Sequence, residues 1–182
     1  MATPRPDLRI EALAPHHDRD VFSCGVDALD RYVRTQAGQD VRRKANAVFV
    51  MTETARPDAV LGYYTLCALA VAQGDVPATA RKHIPRYPLV SATLLGRLAV
   101  ASARQGEGLG AILLADAVRR AHAAAATVGS SMLVVDAVNE RAAAFYAGHG
   151  FVRLPDSLRL VLPMRAIGRL LEGRGPPTPS SP

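Results

Sequence analysis

Residues Gln105-Gly106-Glu107-Gly108-Leu109-Gly110 constrain this chain more than any other stretch. They follow an apolar run, Leu94-Leu95-Gly96-Arg97-Leu98-Ala99-Val100, that reads as a strand. They open a segment from Leu109 to Val128 that reads as a long helix. A glycine-rich turn between strand and helix exposes backbone N–H groups, and the helix N-terminus adds partial positive charge. The pair makes an anion site shaped for a pyrophosphate. Glycine suits it because a Cβ would block close approach of the backbone and the positive φ values of such a turn.

Two common nucleotide loops do not fit. A Walker A loop needs Lys and then Ser or Thr after its last glycine, and here Ala111-Ile112 follow. A dinucleotide fingerprint needs G-x-G-x-x-G in an early strand–helix–strand unit, and Gly106-x-Gly108-x-Gly110 lacks that spacing and lies past mid-chain.

The rest of the chain reads as alternating strands and helices. Strands are expected at 8–13, 47–52, 60–72, 92–100, 132–138 and 158–162. Helices are expected from Asp27 to Val41, from Leu109 to Val128 closed by Gly129, and from Asn139 to Ala147. Gly74 to Pro88 holds several prolines and reads as a loop or short helix. The alternation predicts an α/β fold, a mixed twisted sheet with helices on both faces in one domain. With 182 residues, one domain is the default. Residues 1–7 read as an N-terminal extension, 8–167 as the folded domain, and 173–182 as a disordered Pro/Ser-rich tail.

Composition narrows the function classes. No apolar run is long enough to span a bilayer, and Met1-Ala2-Thr3-Pro4-Arg5-Pro6 lacks a signal-peptide core, so a cytoplasmic location without membrane contact is expected. Cys24 and Cys67 have no metal-ligand spacing and read as reduced and buried, with no metal expected. Net charge is +6, and no acidic residue lies between Asp75 and Glu107. That interval carries Arg81, Lys82, His83, Arg86, Arg97 and Arg104, a distribution suited to a phosphate backbone.

A second motif follows the buried strand at 132–138. Asn139, Ala142 and Tyr146 are spaced i, i+3, i+7 and share one helix face. An Asn at the end of a buried strand can start the helix and bond an amide-bearing ligand. A Tyr two turns on can give a proton to a leaving thiolate. A core aromatic is the alternative reading of Tyr146.

Taken together, Gln105-x-x-Gly108-x-Gly110 and Asn139-x-x-Ala142-x-x-x-Tyr146-x-x-x-Gly150-Phe151 resemble the two signatures of the GNAT acetyltransferases. Further stretches resemble the GNAT toxins of bacterial toxin–antitoxin pairs. They are Phe22-x-Cys24-Gly25-Val26-Asp27-x-Leu29-Asp30-x-Tyr32, Leu95-Gly96-Arg97-Leu98-Ala99-Val100, Val134-Val135-Asp136-Ala137 and Leu160-Val161-Leu162-Pro163. The resemblance covers residues 8 to 165 and implies a GNAT fold with acetyl-CoA as co-substrate. It implies acetylation of the α-amine of aminoacyl-tRNA, which blocks translation. It also implies a homodimer neutralised by an antitoxin with a ribbon-helix-helix domain.

The resemblance further assigns roles. Backbone groups of Leu98, Ala99 and Val100 would pair with the pantetheine arm. Arg104, Gln105, Gly106, Gly108, Leu109 and Gly110 would cradle the pyrophosphate. Asn139 would hold the pantetheine, and Tyr146 would protonate the departing CoA thiolate. Arg97 would face tRNA or the substrate, and the charge distribution adds Arg81, Lys82 and Arg86 as candidate tRNA contacts. Many GNAT enzymes carry a Glu base on the strand before the loop, but no Glu lies between Glu53 and Glu107 here. A GNAT acting on a protein N-terminus or a small amine, and a non-catalytic CoA-binding module, are the alternatives.

Overall fold

The computed structural model describes residues 7–173. The expectations for residues 1–6 of the extension and for 174–182 of the tail lie outside the described residues. Seven strands follow the order β1-β2-β3-β4-β5-β7-β6: β1 (Leu8–Ala12), β2 (Ala47–Glu53), β3 (Gly62–Ala72), β4 (Leu89–Val100), β5 (Met132–Asp136), β6 (Val152–Arg153) and β7 (Arg159–Pro163). The helices are α1 (Asp27–Arg31), α2 (Ala37–Arg43), α3 (Ala78–Arg81), α4 (Leu109–Ala125), α5 (Glu140–Ala147) and α6 (Met164–Glu172). β1, β2 and β3 form an antiparallel meander, and β7 pairs antiparallel with both β5 and β6. β4 and β5 are joined through α4, the helical crossover that a parallel pair needs. The sheet is therefore mixed, as expected for one α/β domain of the GNAT type.

Contacts divide the chain into two units: one holds the described residues through Ala68 with Leu94–Arg120, the other Leu69–Thr93 with Ala121 onward. In the first unit, Phe22, Tyr32, Val33, Val48, Val50 and Tyr63 build the core. α1 runs into α2 through one π-helical turn, Tyr32–Gln36, rather than as one continuous α-helix. The extra residue in that turn lets Tyr32 and Val33, adjacent in sequence, both bury. Asp116 ties α4 down: it accepts from the Tyr64 hydroxyl at 2.6 Å and from Arg120 Nε at 2.8 Å.

In the second unit, Met132 to Val135 are all buried, the continuous apolar run that a central strand requires. Two elements were not expected from sequence, the two-residue β6 and the nine-residue α6. One expectation is corrected: Gly129 does not cap α4. The helix stops at Ala125, residues 126–128 turn back onto Ala123 and Ala124 carbonyls, and Gly129 is not among the glycines with positive φ. Both cysteines are free, Cys24 buried and Cys67 half-buried. No helix among the described residues is long and apolar enough to cross a membrane.

Candidate active site

The loop after β4 is built around two left-handed glycines, Gly106 at φ +84° and Gly108 at φ +80°. A Cβ at either position would meet nothing within 4 Å, so the backbone turn demands glycine while the space beside it stays open. α4 starts at Leu109, whose side chain is buried, and has no acidic residue in its first turn. Its first N–H groups lack helical partners. The loop therefore sets open space beside a helix N-terminus, with one carboxylate, Glu107, inside it.

The side chains of the loop do something sequence did not show. Gln105 Nε2 donates to the carbonyls of Cys24 at 2.9 Å and Val100 at 3.0 Å, stapling the loop to the strand end and to the 22–26 segment. That segment is itself held by Asp30, which accepts from Cys24 N at 2.8 Å and Ser23 Oγ at 3.2 Å. Arg104 donates to both oxygens of Glu107, at 2.9 and 3.0 Å, and to Glu53 at 2.6 Å. Glu107 first and Glu53 second hold its guanidinium pKa above the ordinary value. Arg104 thus reaches the loop with its charge already shared between two carboxylates. Ala99 is buried while Leu98 and Val100 are half-buried, at the end of β4 that feeds the loop.

Arg97, earlier on β4, stacks its guanidinium 3.6 Å from the centre of the Tyr32 ring. Burial and then the bond to Asp40, 2.8 Å from the Tyr32 hydroxyl, push that phenol up in pKa. Arg97 is therefore a half-buried cation on an aromatic wall rather than a solvated arm. The role of Tyr32 as that wall was not read from sequence.

The second unit carries the other signature. Asn139 is the N-cap of α5, its Oδ1 accepting from Ala142 N at 2.9 Å, which leaves its amide NH2 as a donor. Tyr146 is 7% exposed and sits edge-on to Phe145 and Phe151, with centroids 5.2 and 5.7 Å away. Burial alone pushes its phenol up to about 12. The start of α5 is clamped to β6 by a bidentate pair, Glu140 with Arg153, at 2.7 and 2.9 Å. Lys82 and Arg86 are exposed. Arg81 instead turns back, donating to the Val76 carbonyl at 2.9 and 3.2 Å and toward Gly74 O at 3.4 Å, so it shapes the loop while keeping its charge. α6 adds Arg165 and Arg169, both exposed and one turn apart.

Glu11, His16 and His17 bring their ligand-type atoms within 4.8 Å of one another. His17 Nδ1 accepts from Ala14 N at 2.9 Å, so its proton sits on Nε2, 3.0 Å from Glu11. That nitrogen is a donor to the carboxylate, and the trio reads as a hydrogen-bonded brace.

A family model described as acetyltransferase (GNAT) domain matches residues 45–153. The chain belongs to the GNAT acetyltransferase family. A relative from Mycobacterium tuberculosis, a tRNA-acetylating toxin, is 38% identical over 145 residues, covering 79% of this chain and 84% of its own. The toxin AtaT complexed with acetyl-methionyl-tRNAfMet matches with a TM-score of 0.83 and 34% identity, over 91% of this chain and 99% of that one. A Tyr-to-Phe mutant of AtaT, bound to the C-terminus of the antitoxin AtaR and acetyl-CoA, matches with a TM-score of 0.76 and 31% identity, over 91% of this chain and 98% of that one. This GNAT enzyme is an N-acetyltransferase with acetyl-CoA as co-substrate.

Proposed function

We propose that this acetyltransferase is a toxin that acetylates the α-amino group of aminoacyl-tRNA and so stops translation. The observation that carries the acceptor class is charge. Lys82, Arg86, Arg165 and Arg169 are exposed, and the interval from 76 to 106 that holds the first two carries no carboxylate. A polyanion bearing the amine suits such a surface.

In the transfer, the neutral amine attacks the thioester carbonyl, the C–S bond breaks, the acetyl group ends on nitrogen, and the N–H proton released passes to water, which in turn restores the proton that Tyr146 gives up. N–H groups of the Gly106–Gly110 turn bind the pyrophosphate. Gln105 keeps the turn closed, Leu109 anchors it in the core, and Arg104 divides its charge between phosphate and its two carboxylates. Backbone of Leu98, Ala99 and Val100 pairs with the pantetheine, as an added strand would. Asn139 donates its amide N–H to the same arm. Tyr146 delivers its proton to the leaving thiolate, and its raised pKa keeps that proton in place at neutral pH. Arg97 faces the acceptor from its aromatic wall. The free α-amine of an amino acid whose carboxyl is esterified to tRNA has a lowered pKa, so no carboxylate base on β4 is required.

The same reading makes the protein a cytoplasmic homodimer neutralised by an antitoxin with a ribbon-helix-helix domain. The deciding experiment is transfer of labelled acetyl from acetyl-CoA to a pool of charged tRNA, with deacylated tRNA as control. Label restricted to charged tRNA and abolished by Tyr146→Phe supports the reading. Label on protein N-termini or small amines instead would replace it.

A further inference from the structure

The chain has five tyrosines and no tryptophan. Four of the tyrosines are buried: Tyr32 at 3%, Tyr63 and Tyr64 at 0%, and Tyr146 at 7% exposure. Tyr87 alone stands out, at 66%. Leu89, two residues on, is 65% exposed as well, so this turn groups two large apolar side chains in water.

Its setting is rigid. Tyr87 lies in the turn Pro85-Arg86-Tyr87-Pro88, where two prolines fix their own φ. Gln73 pins both ends of that turn, its backbone N donating to Pro88 O at 3.0 Å and its side-chain Nε2 to Pro85 O at 3.3 Å. Ile84 and Val90, on either side, are buried anchors. The turn therefore holds the backbone beneath the ring in one place, and little backbone ordering entropy is lost when something stacks on the ring.

The surroundings are cationic. Arg86 precedes the ring and Lys82 caps the end of α3 five residues before it, both exposed. His83 is held below its ordinary pKa by burial and then by the charges of Lys82, Arg169 and Arg165, which places the α6 arginines in the same field. An aromatic face among solvent-facing cations is the pattern that binds unpaired nucleotides, the ring stacking on a base and the cations engaging phosphates. An acidic or apolar protein segment would match only one half of it.

We propose that Tyr87 is a stacking platform for an unpaired base at the 3′ end of the charged tRNA, with Lys82 and Arg86 engaging neighbouring phosphates. The inference rests on the aminoacyl-tRNA reading above and adds the element that grips the single-stranded end. It makes Tyr87 a residue that positions the acceptor, with no part in the acetyl transfer itself.

The test compares wild type, Tyr87→Ala, Tyr87→Phe and Arg86→Gln in acetylation of charged tRNA across a salt series. Tyr87→Ala should lower kcat/KM about 10-fold or more, chiefly through KM, and leave the salt slope unchanged. Tyr87→Phe should stay near wild type, because stacking needs the ring and not the hydroxyl. Arg86→Gln should shallow the salt slope by about one unit. A second readout uses the full chain labelled with 3-fluorotyrosine and the trinucleotide CpCpA. The single exposed resonance should move on titration while the four buried ones stay. Wild-type kinetics for Tyr87→Ala, equal losses in Tyr87→Ala and Tyr87→Phe, or a change only in sedimentation behaviour would each overturn the proposal. If wild type labels no charged tRNA, the substrate reading fails by itself, and the CpCpA titration still decides whether Tyr87 stacks on a base.

Discussion

Arg97 lies flat over Tyr32, its guanidinium carbon 3.6 Å from the ring centre, while the Tyr32 hydroxyl bonds Asp40 2.8 Å away. The planar cation gains from the ring quadrupole, and partial burial strengthens that gain. A double-mutant cycle with Arg97→Leu and Tyr32→Leu, followed by urea unfolding, should return a coupling of about 1 kcal/mol. Additive effects would mean the ring does not hold the guanidinium. Arg97→Lys should lose most of the coupling, because an ammonium cannot stack as a plane.

Tyr146→Phe removes one hydroxyl from a ring packed between Phe145 and Phe151. The packing volume hardly changes, so the melting temperature should stay close to wild type. Loss of the proton donor should lower kcat about 10²- to 10⁴-fold while acetyl-CoA affinity persists, read by stopped-flow transfer and by calorimetry. A variant that turns over at the wild-type rate would move the acid elsewhere.

The pH dependence follows from the direction of the Tyr146 shift. A free phenol loses its proton near 10, and burial pushes this one up to about 12. Folding therefore favours the neutral form. That contribution is whole below about pH 10 and declines as pH rises from there through the folded value. The rate should climb between pH 6 and 9 as the acceptor amine deprotonates, with no fall assignable to Tyr146 in that range. A descending limb centred near pH 9 that disappears in Tyr146→Phe would contradict the assignment.

Arg104 shares its charge with Glu107 and Glu53, and Glu107 lies inside the loop proposed to bind pyrophosphate. Glu107 is half-exposed and its pair with Arg104 is partly screened. Glu107→Gln should leave the guanidinium paired with Glu53 alone and remove a negative charge from an anion site. Acetyl-CoA should then bind about 2- to 5-fold more tightly at low salt, and the gain should shrink as salt is raised. Isothermal titration at two ionic strengths checks both parts. Weaker binding would show that Glu107 orders the loop rather than competing with phosphate.

The two signatures were legible because each rests on a local rule. Gly106 and Gly108 announce positive φ, and Asn139 announces a helix start, whatever surrounds them. What sequence hid was long-range pairing and abrupt transitions. Arg104 counts as one more cation in a basic run, but Glu53, far back in the chain, takes part of its charge. α6 escaped notice because β7 ends at Pro163 and the helix begins at Met164, so no loop separates the two periodicities. Arg165 and Arg169 went with it. The end of α4 was misplaced because Ala123 to Ala126 favours helix by propensity, yet the chain turns there before Gly129.

Gly62 on β3 sits behind the strand that feeds the loop. A Cβ there would fall 2.8 Å from the Ala99 carbonyl oxygen and 2.8 Å from Leu113 Cδ1, distances no real side chain tolerates. One missing methyl thus sets how far β4 stands forward and where α4 rests. Descendants of this chain could trade Arg97, Tyr87 or the α6 arginines for other groups and so explore other acceptors. Drift at Gly62 would instead shift the scaffold under the cofactor, leaving that position a silent boundary on the paths by which such an enzyme can diverge.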